Sequence, residues 1–350
     1  MANTIEFEDN YSGEVLDKIL QLTMKRNETY QLGLIHMETD VTHTLFLPTS
    51  SLSGVVQDNV ATPDIKLGEA HDGINEYKIT ERKLTPEPFM IFYKWDPEKT
   101  RSLWKQFKPQ GNLIFRELSP IIQADIVSKI LEEKNYYIGQ AIWRSVKGGT
   151  TGTKTVTPAG EVGLGIPVNG NKYHYFDGAI ERIAQSKTAT KPLDKANIVG
   201  TSLLETGKAV EDALKAIYKA VKPEMRASIR QNKFAMSHQS WMLYDEYLTA
   251  KEVKYTDNSR ENVRYYKGVE IVPVDGITEH TIILSKFSKG IDGNLWGAID
   301  WSAPKDEDAF KIGNIAEYST EKFFQMRLKM DVNWVRMTEV YAHSAYLGEG

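Results

Sequence analysis

The chain has 350 residues, 43 Lys and Arg against 47 Asp and Glu, and a formal net charge of −4. That balance argues against a non-specific grip on nucleic acid, which needs clustered cations to neutralise phosphates. There is no cysteine, while apolar residues make up 41% and charged residues 26%, so disulfide frameworks, thiolate chemistry and cysteine-ligated metals are excluded in what is otherwise an ordinary folded composition.

The opening MANTIEFEDN is acidic and lacks the basic and apolar regions of a secretory signal. No stretch approaches the roughly 20 apolar residues that span a bilayer, so the expectation is a protein made and kept in a cytoplasm, with no membrane partner. Val15, Leu16, Ile19, Leu20 and Leu22 give residues 13–26 one apolar helical face. Strand patterns follow at Ile35 and Met37 and at Leu45 to Leu47. From Pro48 to Gly73 the chain carries Ser, Gly, Pro, Asp and Asn without periodicity. Strand-like sequence resumes at Tyr77 and is clearest at Phe89, Ile91, Tyr93 and Trp95. Loops beyond about 15 residues are unusual inside compact domains, so this reach reads either as an extended hairpin projecting from the body or as a plain surface loop. A lone two-stranded hairpin is marginal in water; if it forms, it must lean on something else.

Ser119 and Pro120 supply a cap and a first-turn proline. They open a helix whose rows are Ile122, Ile126, Ile130 and Val127, Leu131, Ile138; continued to about Trp143 it is roughly 36 Å long. Residues 147–170, rich in Gly and Thr, are loop or ribbon. Ser202 and Glu205 form a capping box ahead of a buried stripe at Leu203, Val210, Leu214, Ile217 and Val221, closed by Pro223. A short strand at Phe234 to Met236 leads to Ser237, which caps a helix carrying Trp241, Tyr244 and Leu248 on one side. Tyr265 to Val274 reads as a strand with Gly268 inside it, and Thr281 to Leu284 as another. From 324 to 334 the alternation is complete. Phe324, Met326, Leu328, Met330, Val332 and Trp334 are apolar, and Gln325, Arg327, Lys329, Asp331 and Asn333 between them are polar. Period two means one dry and one wet face, over about 37 Å, where ordinary strands stop at about five or six residues. The long helix nearly matches this strand in reach. With strands and helices mixed but no regular βαβ rhythm, the class is α+β.

Nothing nominates a catalytic, cofactor-binding or metal-binding residue. Gly148 to Thr155 (GGTTGTKT) breaks the phosphate-loop spacing, because Thr153 separates Gly152 from Lys154. His36, Glu38 and Asp40 share a strand face, but a metal site draws ligands from several elements, and a wet strand face explains them. Asp306 to Asp308 and Asp292 to Asn294 fail the calcium-loop pattern. Tyr265 and Tyr266 beside Arg264 and Lys267 are the best stacking candidates for single-stranded nucleic acid, with only a thin basic surround; Trp95 and Trp104 are more simply core.

The order of elements resembles the major capsid proteins of tailed bacteriophages, the Hong Kong 97-like fold. The motifs are Phe234-Ala-Met-Ser237 leading into a helix, then Tyr266-Lys-Gly268-Val-Glu-Ile271, Ile282-Ile-Leu-Ser285, Gly290-Ile-Asp-Gly293, the long strand from Phe324, and Thr338-Glu-Val-Tyr341. In the first half, Ile142-Trp143 and Tyr175-Phe-Asp-Gly178 are similar to segments of some phage capsid proteins. The resemblance implies an N-terminal arm at 1–37, an extended loop at 38–95, a peripheral domain at 96–195 with a spine helix, an axial domain at 196–285, and the second part of the peripheral domain at 286–350. It implies a head protein that self-assembles as pentamers and hexamers into an icosahedral shell around double-stranded DNA, without sequence-specific binding. Scaffolding, portal and decoration proteins are its implied partners, and a virion assembled in a bacterial cytoplasm its implied place. No enzymatic role and no cofactor are implied.

Assembly contacts are expected in the extended loop at Lys66, Lys78, Arg82 and Lys83. Some family members crosslink a lysine to a neighbour's asparagine, although lysines are ordinary in a polar loop. The first structural pattern arrives within about a dozen residues, so the chain is expected to be mature already or to use a separate scaffolding protein. Other readings are an encapsulin-like compartment around enzyme cargo, an enzyme whose site is assembled from distant residues, and a tail or connector component. On the shell reading the wet residues Arg327, Lys329 and Asp331 are expected to face a shell surface or a neighbouring subunit.

Overall fold

A computed structural model of the chain describes residues 27–39, 41–53, 76–95, 120–147, 175–251, 265–300, 310–314 and 321–347. The described elements are, in chain order, the single turn α1 (Glu28–Gln31), β1 (His36–Glu38), β2 (Leu45–Ser53), β3 (Glu76–Leu84), β4 (Glu87–Trp95) and the long helix α2 (Pro120–Arg144). Then come α3 (Ala179–Ser186), β5 (Asn197–Gly200), α4 (Gly207–Ala220), α5 (Pro223–Ala227), β6 (Lys233–Met236), α6 (His238–Ala250), β7 (Tyr265–Tyr266), β8 (Val269–Pro273), β9 (Thr281–Ser285), β10 (Leu295–Asp300), β11 (Phe310–Asn314), β12 (Lys322–Trp334) and β13 (Tyr341–Ser344). The helix expected over 13–26 and the loop expected over 148–170 lie outside the described residues.

The alternating segment becomes β12, 13 residues long. Its length lets it pair three strands. β10 runs against Lys329–Trp334 and β11 against Lys322–Met326, while β4 takes the other edge along Lys322–Met330; β1 extends the sheet beyond β10. The apolar face is dry throughout, from Phe324 to Trp334. It joins one core with Ile130, Ile138, Ile142 and Trp143 of α2 and with Ile180 and Ile183 of α3. Each fully buried side chain of this size contributes about 1.5–3 kcal/mol relative to exposure. The large aromatics also satisfy their polar atoms: Trp334 Nε1 donates to the Ala179 carbonyl at 2.9 Å and Trp143 Nε1 to Thr29 Oγ1 at 3.1 Å. Phe287 sits between the two indoles, with centroids 6.2 Å from Trp143 and 5.8 Å from Trp334.

The second sheet has the order β5-β13-β9-β6-β8-β7. All of β9 is buried, because both faces are covered. Ala235, Ile283 and Ala342 face the first core; Phe234, Met236, Ile282, Leu284 and Tyr341 face a second one built with α4 and α6. Gly207 opens α4 where a Cβ would lie 2.2 Å from Tyr247 Cβ and 2.3 Å from the Leu243 carbonyl oxygen of α6. Only glycine permits that approach. Ser237 caps α6 as expected, accepting from the Ser240 N–H at 3.2 Å.

Three local expectations are corrected. The helix placed at Ser202 begins at Gly207, capped by Thr206, whose Oγ1 accepts from the Ala209 N–H at 3.2 Å. Ser202 is engaged by His343 instead, at 3.1 Å, and the Leu204 N–H is taken by His280 Nδ1 at 3.1 Å. The strand read over Tyr265 to Val274 is a hairpin. Lys267 and Gly268 have φ of 48° and 81°, the two-residue turn whose twist suits paired strands. Finally, Pro48 to Ser53 is not loop but the outer part of β2, in register with Glu76–Glu81 of β3; pairing supplies there what side-chain periodicity does not.

The wet face of β12 divides along its length. Arg327 is exposed, and Lys329 donates to Asp300 Oδ2 at 2.9 Å. Asp331 and Asn333, expected on an outer surface, are only 2% and 5% exposed. The base of the β2–β3 hairpin folds over them. Asp331 accepts from the Thr85 N–H at 2.8 Å and from Arg182 of α3 at 3.1 Å, and Asn333 Nδ2 donates to the Lys83 carbonyl at 2.9 Å. Leu47, Leu84 and Ala298 form a small apolar cluster beside them. The projecting hairpin therefore leans on the sheet it leaves.

Burial pushes the Asp331 carboxyl above the usual carboxylate range, against the pull of Arg182 and of the backbone donors. Arg182→Ala leaves that carboxylate without its cation. We expect a loss of about 3 kcal/mol, the low end for breaking a buried pair because Arg182 is partly exposed, read as a lower urea midpoint of the monomeric chain. Asp331→Asn, which keeps an acceptor for Thr85, is expected to lose less. A loss under about 1 kcal/mol for Arg182→Ala would show that the pair does not hold the hairpin base.

Candidate assembly surfaces

Ser202 Oγ and His343 Nε2 lie 3.1 Å apart, the distance of a nucleophile and its base. His343 is 4% exposed and burial pushes its imidazole pKa down. Its Nδ1, however, is buried and has no hydrogen-bond partner among the described residues, so no third group fixes its tautomer or aim. Gly200 packs on this ring, where a Cβ would lie 2.5 Å from Cδ2. The pair fastens the segment after β5 to β13 and has no geometry for acyl transfer.

His36 Nε2 meets Glu38 Oε2 at 3.3 Å, while Nδ1 donates to the Lys289 carbonyl at 2.6 Å and the ring packs on Trp296. Asp40 lies outside the described residues, and among the described residues no group of three His, Asp or Glu is placed to hold a metal ion. Tyr265 is exposed, but Tyr266 is buried against Phe234 and Tyr218, so the two do not form a stacking platform. Asp292 is held by Lys286 at 3.2 Å. The GGTTGTKT segment, Trp104 and Asp306 to Asp308 lie outside the described residues.

The larger features are surfaces. A cleft of about 1180 Å³ separates the hairpin base from the helices after β5; Phe46, Arg82, Asp194, Lys222, Asn232 and Trp296 are among its lining. Arg82 spans it, donating to Asp194 Oδ1 at 3.0 Å and to the Asp194 carbonyl at 3.3 Å, and so ties the hairpin to the turn Pro192–Asp194. Lys83 lies over the Phe46 ring at 5.1 Å. Of the expected contact residues, then, Arg82 and Lys83 meet partners within the same chain at the hairpin base. Lys78 lies farther along β3, opposite Ser51, and Lys66 lies outside the described residues.

A second concavity, of about 470 Å³, runs between β4 and α2, with Phe89, Ile91, Tyr93, Ile130, Tyr137 and Tyr175 in its walls. Phe89 stacks on Tyr175 at 5.2 Å. Beside it Met90, Phe92 and Tyr93 are about half exposed, at 48%, 52% and 49%. Large apolar side chains left open along one strand mark a contact surface more than an isolated exposed residue does. The sequence identified β4 but not this groove, because alternation there runs apolar on both faces.

No protein-family model and no curated protein matches the sequence. Solved structures do match. A chain of the satellite phage P4 procapsid, in a structure that includes the size determination (Sid) protein, is 11% identical, with 97% of this chain and 92% of that chain covered and a TM-score of 0.52. The cyanophage A-1(L) capsid asymmetric unit is 10% identical, with 92% and 93% covered and a TM-score of 0.51. At such identities the likeness is one of fold. The chain is α+β with the Hong Kong 97-like fold of tailed-phage capsid proteins.

Lys134 sits in the wall of the β4–α2 groove at 2% exposure, and burial drives its ammonium down to about 7. The unfolded chain keeps that proton to about pH 10.4. Between pH 7 and 10 the unfolded state therefore binds more protons, and stability rises with pH across that window. We expect about 2–3 kcal/mol between pH 7 and pH 9 from this group, measured by urea titration of the monomeric chain. Lys134→Met should abolish that increment and be more stable than the parent at pH 7; an unchanged slope would place the charge elsewhere.

Proposed function

We propose that this chain, with the fold of tailed-phage capsid proteins, is a major head protein: a structural subunit that builds a closed shell and performs no catalysis. The observation that carries the reading is coverage. The likeness to the satellite phage procapsid chain takes in 97% of this chain and 92% of the other, so it concerns a whole subunit and not a shared motif.

The architecture supports the same reading. α2 serves as the spine helix and the sheet around β12 as the peripheral plate. The β2–β3 hairpin serves as the extended loop within 38–95, and the sheet around β9 with α4 and α6 as the axial domain over 196–285, joined by the closing strand β13. Subunits meet head to tail in pentamers and hexamers, heterologous contacts that rotation closes. The exposed β4 side chains and the extended loop, including Lys66 and Lys78, provide contact surface. The shell encloses double-stranded DNA as a virion capsid assembled in a bacterial cytoplasm, with scaffolding, portal and decoration proteins as partners.

Expression alone and with candidate scaffolding proteins, followed by negative-stain imaging, should give closed shells of uniform diameter. A monodisperse monomer across salt, pH and scaffold conditions would refute the proposal. Shells filled with protein and free of DNA would favour a cargo compartment, and rings or tubes of fixed order a tail or connector role.

A further inference from the structure

The net charge of the whole chain hides a local reversal. Along α4, Lys208, Lys215 and Lys219 lie on the face opposite the buried Val210, Leu214 and Ile217, and Lys222 and Arg226 follow in sequence past the end of the helix. All five are exposed. Arg226 turns back to donate to the Lys219 carbonyl at 2.7 Å, which brings the cation of α5 onto the same face. Two acidic groups face the stripe on α4: Asp212, which is exposed, and Glu211, which is held by Lys251 at 3.1 Å and also feels the Lys215 charge. None of the five cations makes an ion pair with a described residue.

Scattered surface lysines need no explanation. These differ in arrangement, repeating at helical spacing on one face of a chain whose overall charge is negative. From Lys208 to Lys219 the stripe runs about 16 Å along the helix axis, and a duplex presents one phosphate per about 1.7 Å of its own axis. A row of flexible, strongly hydrated point charges suits a phosphate backbone. It lacks the planar forks and aromatic faces that read base edges or stack on bases.

We propose that this α4–α5 face binds the phosphate backbone of duplex nucleic acid without reading its sequence. The proposal rests on the shell reading for the source of that nucleic acid, the enclosed DNA, but the contact itself is testable apart from it. The competing occupant is an acidic face of a second copy.

The test measures affinity of the full-length chain for a duplex of about 30 base pairs across a salt series, for the parent, for K215Q/K219Q and, as a control on the other sheet, for K94Q/R327Q, two exposed cations of β4 and β12. Each lost phosphate contact lowers the slope of log K against log salt by about 0.9. K215Q/K219Q should therefore lower it by about 1.8, with affinity at 0.1 M salt falling about eightfold per lysine, and the control should match the parent. Circular dichroism should show both variants folded, and negative stain should show that K215Q/K219Q still forms shells. Equal slopes in all three proteins, or a parent that does not bind the duplex, would overturn the proposal. So would a K215Q/K219Q variant that fails to assemble where the parent succeeds, which would assign the face to contact between copies. If the parent itself forms no shell, the shell reading fails while the slope comparison still decides this one.

Discussion

The five-stranded sheet depends on keeping one side of a 13-residue strand dry from end to end. A strand of that length cannot be covered by one short helix. The dry side of β12 is met by α2, 25 residues long, together with α3 and Phe287. Its edges are met by three strands that divide its length among them. Where β12 approaches Trp334 the opposite side is hidden too, and there the side chains change to groups that hydrogen-bond in two directions. Asp331 and Asn333 fasten the hairpin base because a buried polar group must find partners.

The second sheet solves a different problem. Its central strands are apolar on both faces, since one face continues the first core and the other receives α4 and α6. That continuity binds the two parts of the subunit through Ala235, Ile283 and Ala342, so the α4–α6 layer is an extension of the plate. The histidines at 280 and 343 trim its border by holding Leu204 and Ser202. They explain why a plausible capping box at Ser202 is not used.

Much of the fold is legible in the sequence wherever a pattern is long or a cap is local. β12 announces itself by period two, α2 by Ser119 and Pro120, and α6 by Ser237. The failures share one cause: the deciding partner is distant in the chain. Ser202 is claimed by a residue 141 positions away, and Pro48 to Ser53 become strand only through β3. Gly268 was legible as a turn residue, but the strand-like run on both sides of it concealed the reversal. The candidate surfaces were harder still. Met90 and Phe92 look like core until the neighbouring helix is seen to cover only the other face of β4, and Lys134 looks like one more solvated position on an amphipathic helix. The cations of α4 and α5 form no basic run, because each stands three to seven positions from the next. A search at helical spacing finds them.

The hairpin base is held at two points that belong to different sheets. Asp331 and Asn333 fix it to β12, and Arg82 fixes it to Asp194, which stands just ahead of β5 in the second sheet. Mechanically the hairpin is a lever with two fulcra. A force on its outer end loads both at once: as torsion on the plate at β12, and as tension on the chain entering β5. Displacement of the projecting strands therefore bears on a contact to each sheet, the firmer one at β12 and the more exposed one at Asp194.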